Sequence, residues 1–261
     1  MYKITSDMRR EGSGMKGIEE ILIEGARIFG IALTPQQVNA FLFYLDELKK
    51  WNRRVNLTSL TDDRDIVVKH FLDSLSCLVS DKIGDHSKVV DVGTGAGFPS
   101  LPIKIAKPKI ELTLLDSSKR RAQFLLHMVE AMKLEDSQVV CLRAEEFARK
   151  GRIRESFDIV LARAVSSLPV LMEYALPLLK IGGYFIAQKS QKLKEELEAS
   201  QKAASILGGE VEKVMNIAVP LLNAQRYLVL TKKAMPTADR YPRRTGIPTK
   251  RPLGFCKGPE S

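Results

Sequence analysis

Asp91-Val92-Gly93-Thr94-Gly95-Ala96-Gly97-Phe98-Pro99 decides the reading of this 261-residue chain. It follows Lys88-Val89-Val90, a β-branched run, and precedes Leu101–Ala106, an apolar stretch of helical character. A strand, a glycine turn and a helix in that order make a βα unit. Its turn lies at the carboxyl edge of a parallel sheet, where open α/β folds bind their ligands. Glycine suits such a turn because it accepts positive φ and lets the backbone approach a ligand closely.

The same texture continues outward. Strands are predicted at Lys88–Val92, Glu111–Leu115, Gln138–Leu142, Phe157–Leu161 and Tyr184–Gln188, with helices between them at about Leu101–Ala106, Lys119–Lys133, Leu168–Leu179 and Leu193–Leu207. Gly182-Gly183 is read as the end of the third of these helices. Alternating strands and helices specify an α/β fold with a mostly parallel sheet. Val211–Ala218 and Gln225–Thr231 follow each other closely enough to pair antiparallel.

Upstream, Thr34-Pro35-Gln36-Gln37 carries an N-cap, a first-turn proline and a capping-box glutamine. Val38, Phe41, Leu42, Leu45 and Leu48 then place an apolar face on a helix running to about Trp51, and a second helix is predicted over Asp65–Val79. Four regions are expected: an unstructured polar segment over 1–17, a helical cap over 18–84, the sheet domain over 85–233 and a basic extended tail over 234–261. Met15 is an alternative start.

Hydrophobic residues make up 44% of the chain, enough for a sizeable core. The longest mostly apolar stretch, Leu168–Leu179, includes Glu173 and falls short of the roughly 20 residues a bilayer span needs. With no leader pattern, a cytoplasmic protein is expected. Cys77, Cys141 and Cys256 are too far apart for a Cys-x-x-Cys motif, so they are read as reduced, and no metal is expected. The net charge is +10. Most of it sits in the last thirty residues, where Lys232, Lys233, Arg240, Arg243, Arg244, Lys250, Arg251 and Lys257 face only Asp239 and Glu260. Such a tail suits a polyanion; the plainer alternative is a solubilising extension.

Asp116 ends the second strand, where a carboxylate accepts both hydroxyls of a ribose. Two adenosine cofactors compete for the glycine turn. A dinucleotide fingerprint starting at Gly93 needs a third glycine where Phe98 stands, and Asp91 would repel a pyrophosphate. S-adenosyl-L-methionine is cationic near its reactive sulfur and carries no phosphate, which favours it over the dinucleotide. Arg143-Ala144-Glu145-Glu146-Phe147 follows the third strand, within reach of an adenine. Arg163 closes the fourth strand, where a salt bridge and a direct ligand role are both open. Arg120 and Arg121 suit phosphate or a solvated helix face. His70 is read as a structural hydrogen-bonding histidine, and Trp51-Asn52 as packing.

Taken together, several stretches resemble the bacterial RsmG (GidB) family, in one order from about Ile18 to Leu253. They are Trp51–Thr58, His70–Leu75, Asp91–Pro99, Leu115-Asp116-Ser117, Arg143–Phe147, Ala162-Arg163-Ala164 and Tyr241–Pro248. The resemblance implies an S-adenosylmethionine-dependent methyltransferase (Rossmann-like) fold: a seven-stranded sheet with the last strand antiparallel, under the N-terminal helical cap. It implies methyl transfer to N7 of a guanine in 16S rRNA, on the RNA or a small ribosomal subunit precursor, by a monomer. Another RNA or a protein acceptor is the alternative. Cofactor contacts would fall on Gly93, Phe98, Ala144, Glu145 and Arg163, with Gly95 and Asp116 from the wider methyltransferase pattern. RNA contacts are expected at Arg120, Arg121, Arg243, Arg244, Lys250 and Arg251. Ser100 and Ser190 depart from glycines common in the family, and Arg120 from a lysine. The N7 lone pair is free at neutral pH, so no general base, and no catalytic residue, is expected.

Overall fold

The computed structural model describes residues 15–190 and 193–255; the expectations for residues 1–14 and for Cys256 and Lys257 lie outside the described residues. α1 (Met15–Ile28) begins three residues inside the segment read as unstructured. Ile18, Ile21, Leu22 and Ala26 share one buried face of it, and burial of that stripe holds the helix in place. α2 (Pro35–Val55) starts as its sequence predicts: the Gln37 amide donates to Thr34 Oγ1 at 3.2 Å and the Gln37 side chain accepts from the Thr34 amide at 2.8 Å. One continuous helical rod then changes pitch along its length. It passes from α3 (Asp63–Ile66) through a π-helical turn (Val67–Leu72) and α4 (Asp73–Leu75) to a 3-10 turn (Ser76–Ser80).

The sheet follows as β1 (Lys88–Val92), α5 (Ser100–Ala106), β2 (Glu111–Leu115), α6 (Lys119–Ala131), β3 (Ser137–Val140), α7 (Ala144–Ala148), β4 (Phe157–Arg163), α8 (Leu168–Ala175), β5 (Leu179–Lys189), α9 (Leu193–Ile206), β6 (Gly209–Ile217), β7 (Arg226–Lys233) and α10 (Ile247–Lys250). Strand order is β3-β2-β1-β4-β5-β7-β6. Strands β1 to β5 are parallel, and β7 runs antiparallel to β5 and β6. The order reverses between β1 and β4, which opens a crevice at their carboxyl ends.

Successive residues of β1 divide between the two faces. Val89 joins a core shared with α1, α2, α5, α6 and the helical rod, while Val90 and Val92 join a second core under α7, α8 and α9. The cap and the sheet are therefore one packing unit on that first face. Among the described residues no helix is long and apolar enough to cross a membrane.

Two expectations are corrected. Gly182-Gly183 does not end a helix: α8 stops at Ala175, and the glycine pair lies within β5, where the pairing with β4 shifts register. A Cβ on Gly183 would stand 2.7 Å from the Asp158 carbonyl oxygen, so the strand passes there only without a side chain. Nor are the described residues of the tail, 234–255, an extended, solvated chain. Thr237, Tyr241, Pro242 and Pro248 are buried, and Tyr241 belongs to the second core. Arg154 donates to the carbonyls of Tyr241 and Thr237 at 2.7 and 2.6 Å, and Arg149 donates twice to that of Pro242. These bonds satisfy a backbone that would otherwise lose water without compensation.

Candidate active site

The glycine turn opens at the crevice between β1 and β4. Gly93, Gly95 and Gly97 all have positive φ, at 71°, 63° and 96°. The Gly93 and Thr94 amides both donate to the Leu115 carbonyl, tying the turn to the end of β2. A Cβ on Gly97 would stand 2.3 Å from Leu101 and 2.8 Å from the Tyr44 hydroxyl, so close packing beneath the turn excludes any side chain there. A Cβ on Gly95 would meet nothing within 4 Å; that residue faces open space.

Three buried carboxylates stand around this edge. Asp116 accepts from the Gly95 amide at 3.0 Å and from the Ser118 amide at 2.8 Å, with the exposed Arg121 guanidinium 3.6 Å away. Glu145 is the second residue of α7, just past β3. Asp91 is fully enclosed; its Oδ2 accepts from the Ser100 hydroxyl at 2.6 Å and from the Ser100 amide, while its Oδ1 has no hydrogen-bond partner. Burial pushes the Asp91 carboxyl up to about 7, against the bonds from Ser100 and Thr94 and the attraction of Arg163. An acidic edge with an unpaired buried oxygen disfavours a pyrophosphate and suits a cationic, phosphate-free nucleoside.

On the cap side the turn is held by an aromatic stack that the sequence did not single out. The Tyr44 hydroxyl donates to the Ala96 carbonyl inside the turn. The Tyr44 ring stacks on Phe98 at 5.4 Å and on Phe71 at 5.2 Å, and His70 stacks on Phe98 at 4.4 Å. Phe98 is thus enclosed, with the Arg163 guanidinium 5.0 Å from its ring centroid. Tyr44 sits on α2 at helical spacing from Phe41 and Leu48, and that spacing was the signal available for it.

Arg163 makes a salt bridge at the end of β4. It donates to Asp73 Oδ2 at 3.1 Å and to His70 Nδ1 at 3.0 Å. His70 Nδ1 therefore accepts, and its Nε2 faces the Thr58 hydroxyl at 2.7 Å. Burial first, and the Arg163 charge second, lower the His70 imidazole to about 3, so it stays neutral. Ala144 is half-buried beside Glu145. Of the cations expected to meet RNA, Arg120, Arg121, Arg244, Lys250 and Arg251 are exposed. Arg243 is the exception: its Nε and Nη2 grip Glu173, with the closest contact at 2.6 Å, and Glu173 has no exposure. The buried carboxylate takes up the guanidinium that sequence reasoning had assigned to phosphate.

Comparisons with known proteins show the family. Residues 37–229 match the family described as rRNA small subunit methyltransferase G. The chain is 44% identical to the ribosomal RNA small subunit methyltransferase G of Alkaliphilus metalliredigens, over 89% of this chain and 98% of that one. It is likewise 44% identical to the protein of that name from Acetivibrio thermocellus, over 90% and 97%. A solved SAM-dependent methyltransferase from Aquifex aeolicus shares the fold at TM-score 0.51 and 18% identity, covering 69% of this chain and 97% of that one.

Replacing Tyr44 by Phe leaves the buried Ala96 carbonyl without its donor. The unfolding free energy should fall by about 1–3 kcal/mol, measured by urea titration at unchanged m. A second prediction concerns pH. With His70 depressed from 6.5 to about 3, the folded state binds fewer protons than the unfolded state in that window, so this contribution is complete above pH 6.5 and is lost as pH falls. The stability difference between wild type and His70→Gln should shrink by about 1 kcal/mol per pH unit on acidification from 6.5 to about 4. Asp91 titrates in both proteins and cancels; a flat difference would show that the imidazole does not titrate as described.

Proposed function

The chain belongs to the rRNA small subunit methyltransferase G family, and from that premise we propose that it transfers a methyl group from S-adenosyl-L-methionine to N7 of a guanine in 16S rRNA. The observation that carries the reading is the glycine turn, open at Gly95 and edged by Asp91, Asp116 and Glu145, in a chain matching that family over most of its length. The donor, when bound, supplies a methyl group made electrophilic by its sulfonium. Gly93 and Gly95 allow the backbone to approach it. Asp116, with lone pairs beyond those used by the Gly95 and Ser118 amides, accepts the ribose hydroxyls. Ala144 and Glu145 border the adenine, and Asp91, whose carboxyl burial pushes up to about 7, is drawn to its charged form by the cationic end.

No side chain is needed to remove a proton, because the N7 lone pair is already free. Two groups that could take a proton are occupied: His70 is neutral with both ring nitrogens bonded, and Lys189, at the end of β5, is paired with Glu196 at 2.8 Å. The protein's contribution is then positioning, with nucleophile, methyl and sulfur held in line in a site that excludes water. The target guanine must be unstacked to reach the edge. Arg120, Arg121, Arg244, Lys250 and Arg251 hold its flanking phosphates. The protein works as a monomer in the cytoplasm, on 16S rRNA or a small-subunit precursor.

Incubation with labelled S-adenosylmethionine, 16S rRNA and small subunits should place label on one guanine, at N7. Label on an exocyclic amine, on another RNA or on protein would reject this acceptor. A triple Arg244→Gln, Lys250→Gln, Arg251→Gln variant should flatten the slope of log RNA affinity against log salt by about 2. An unchanged slope would return these cations to a solubilising role.

A further inference from the structure

The docked tail touches the candidate donor site at one point. The Gly246 amide donates to Glu145 Oε1 at 3.0 Å. Glu145 lies at the carboxyl edge of the sheet beside Asp116: β3 is the neighbour of β2, and the Asp116 amide donates to the Val140 carbonyl. The Tyr174 hydroxyl, 3.2 Å from Thr249 Oγ1, adds a second tie from α8 to the same stretch of tail.

What holds Gly246 in place is a buried ion pair three residues upstream. Glu173 has no exposure, and it accepts from the Arg243 amide at 2.8 Å, from Nε at 2.9 Å and from Nη2 at 2.6 Å. Arg243 Nη2 also donates to the Arg251 carbonyl at 2.8 Å, closing the segment into a loop. Pairing of this kind costs desolvation of two charges, and it contributes geometry more than stability. The geometry it contributes is the direction of the Gly246 N–H. Arg244, Lys250 and Arg251 are exposed on that same loop, so one short element carries both free cations and the amide that bonds Glu145.

We propose that residues 237–251 form a strap that positions Glu145, with Glu173 and Arg243 as the positioning residues, so that RNA binding and donor binding strengthen one another through the strap. This rests on the donor reading above. An RNA phosphate held by Arg244, Lys250 or Arg251 favours the docked strap. The docked strap fixes Glu145 in the orientation the donor meets. By linkage, the donor must favour RNA binding by the same factor.

The test is amide hydrogen exchange on the full-length protein, alone and with S-adenosylhomocysteine, combined with calorimetry. The nucleoside should slow exchange across 240–251 by about tenfold and tighten RNA binding by about fivefold. Glu173→Gln should lose strap protection, weaken S-adenosylhomocysteine about fivefold and lower the RNA enhancement, while leaving the saturated single-turnover rate unchanged. Glu173→Asp, which keeps the charge, should recover part of the affinity. Binding heat in the wild type with no change in exchange across 240–251 would overturn the strap and leave the donor reading intact. This arm needs no variant. Loss of protection in Glu173→Gln with wild-type nucleoside affinity would also overturn it. Absence of any binding heat in the wild type would overturn the donor reading itself, and the strap with it.

Discussion

One buried carboxylate sets the shape of the active edge. Asp73, on the helical rod of the cap, accepts from Arg163 at the end of β4 and from Arg226 at the start of β7, while its backbone carbonyl accepts from Gln188 near the end of β5. Three strands of the sheet are thereby fixed to one turn of helix. His70 and Asp73, three residues apart on the rod and so on one face of it, both bond Arg163. Leaving either guanidinium without Asp73 would strand a charge in a site with little water, so the cap and the carboxyl edge are obliged to stay together.

That constraint explains why the cap matters to the glycine turn. The turn's backbone reaches the end of β2, through Leu115 and Asp116, and the cap through the Tyr44 hydroxyl on the Ala96 carbonyl. Its other side rests on Phe98, and Phe98 stacks with Tyr44 and with His70, which both belong to the cap. His70 in turn is fixed by Thr58 and Arg163. A chain of contacts therefore runs from α2 through the aromatic stack to the place where φ is positive at three glycines, and the open face at Gly95 is what remains after every other side has been packed.

Much of this edge was legible in the sequence because it rests on local rules. Strand, glycine turn and helix follow one another within twenty residues, and the Thr34 capping box needs only four. The features that were missed depend on partners far away in the chain. Arg243 reads as a free cation until Glu173, seventy residues earlier, is placed beside it. Gly182-Gly183 reads as a helix stop because its real constraint, the Asp158 carbonyl, lies on a neighbouring strand. The tail reads as solvated because its Pro and Gly content hides the two arginines, Arg149 and Arg154, that satisfy its carbonyls. In each case composition gave the charge correctly and could not give the contact.

The docked tail also changes what its basic residues cost when they meet a polyanion. A flexible basic extension loses conformational entropy as it binds, on the order of 1 kcal/mol for each backbone residue that becomes fixed. Here the fold supplies the docked arrangement of Thr237 to Lys250, through Tyr241 in the core and Glu173 on Arg243, so a partner has only the undocked fraction left to fix. Arg244, Lys250 and Arg251 are exposed on a backbone with less left to immobilise. Long-range attraction is the same in both cases, since it depends on charge. Orientation is not, because a fixed element offers its cations in one arrangement relative to the crevice. A protein that must bring one base to one point at the sheet edge gains from that arrangement, whereas a merely solubilising extension would have no use for a buried ion pair at its centre.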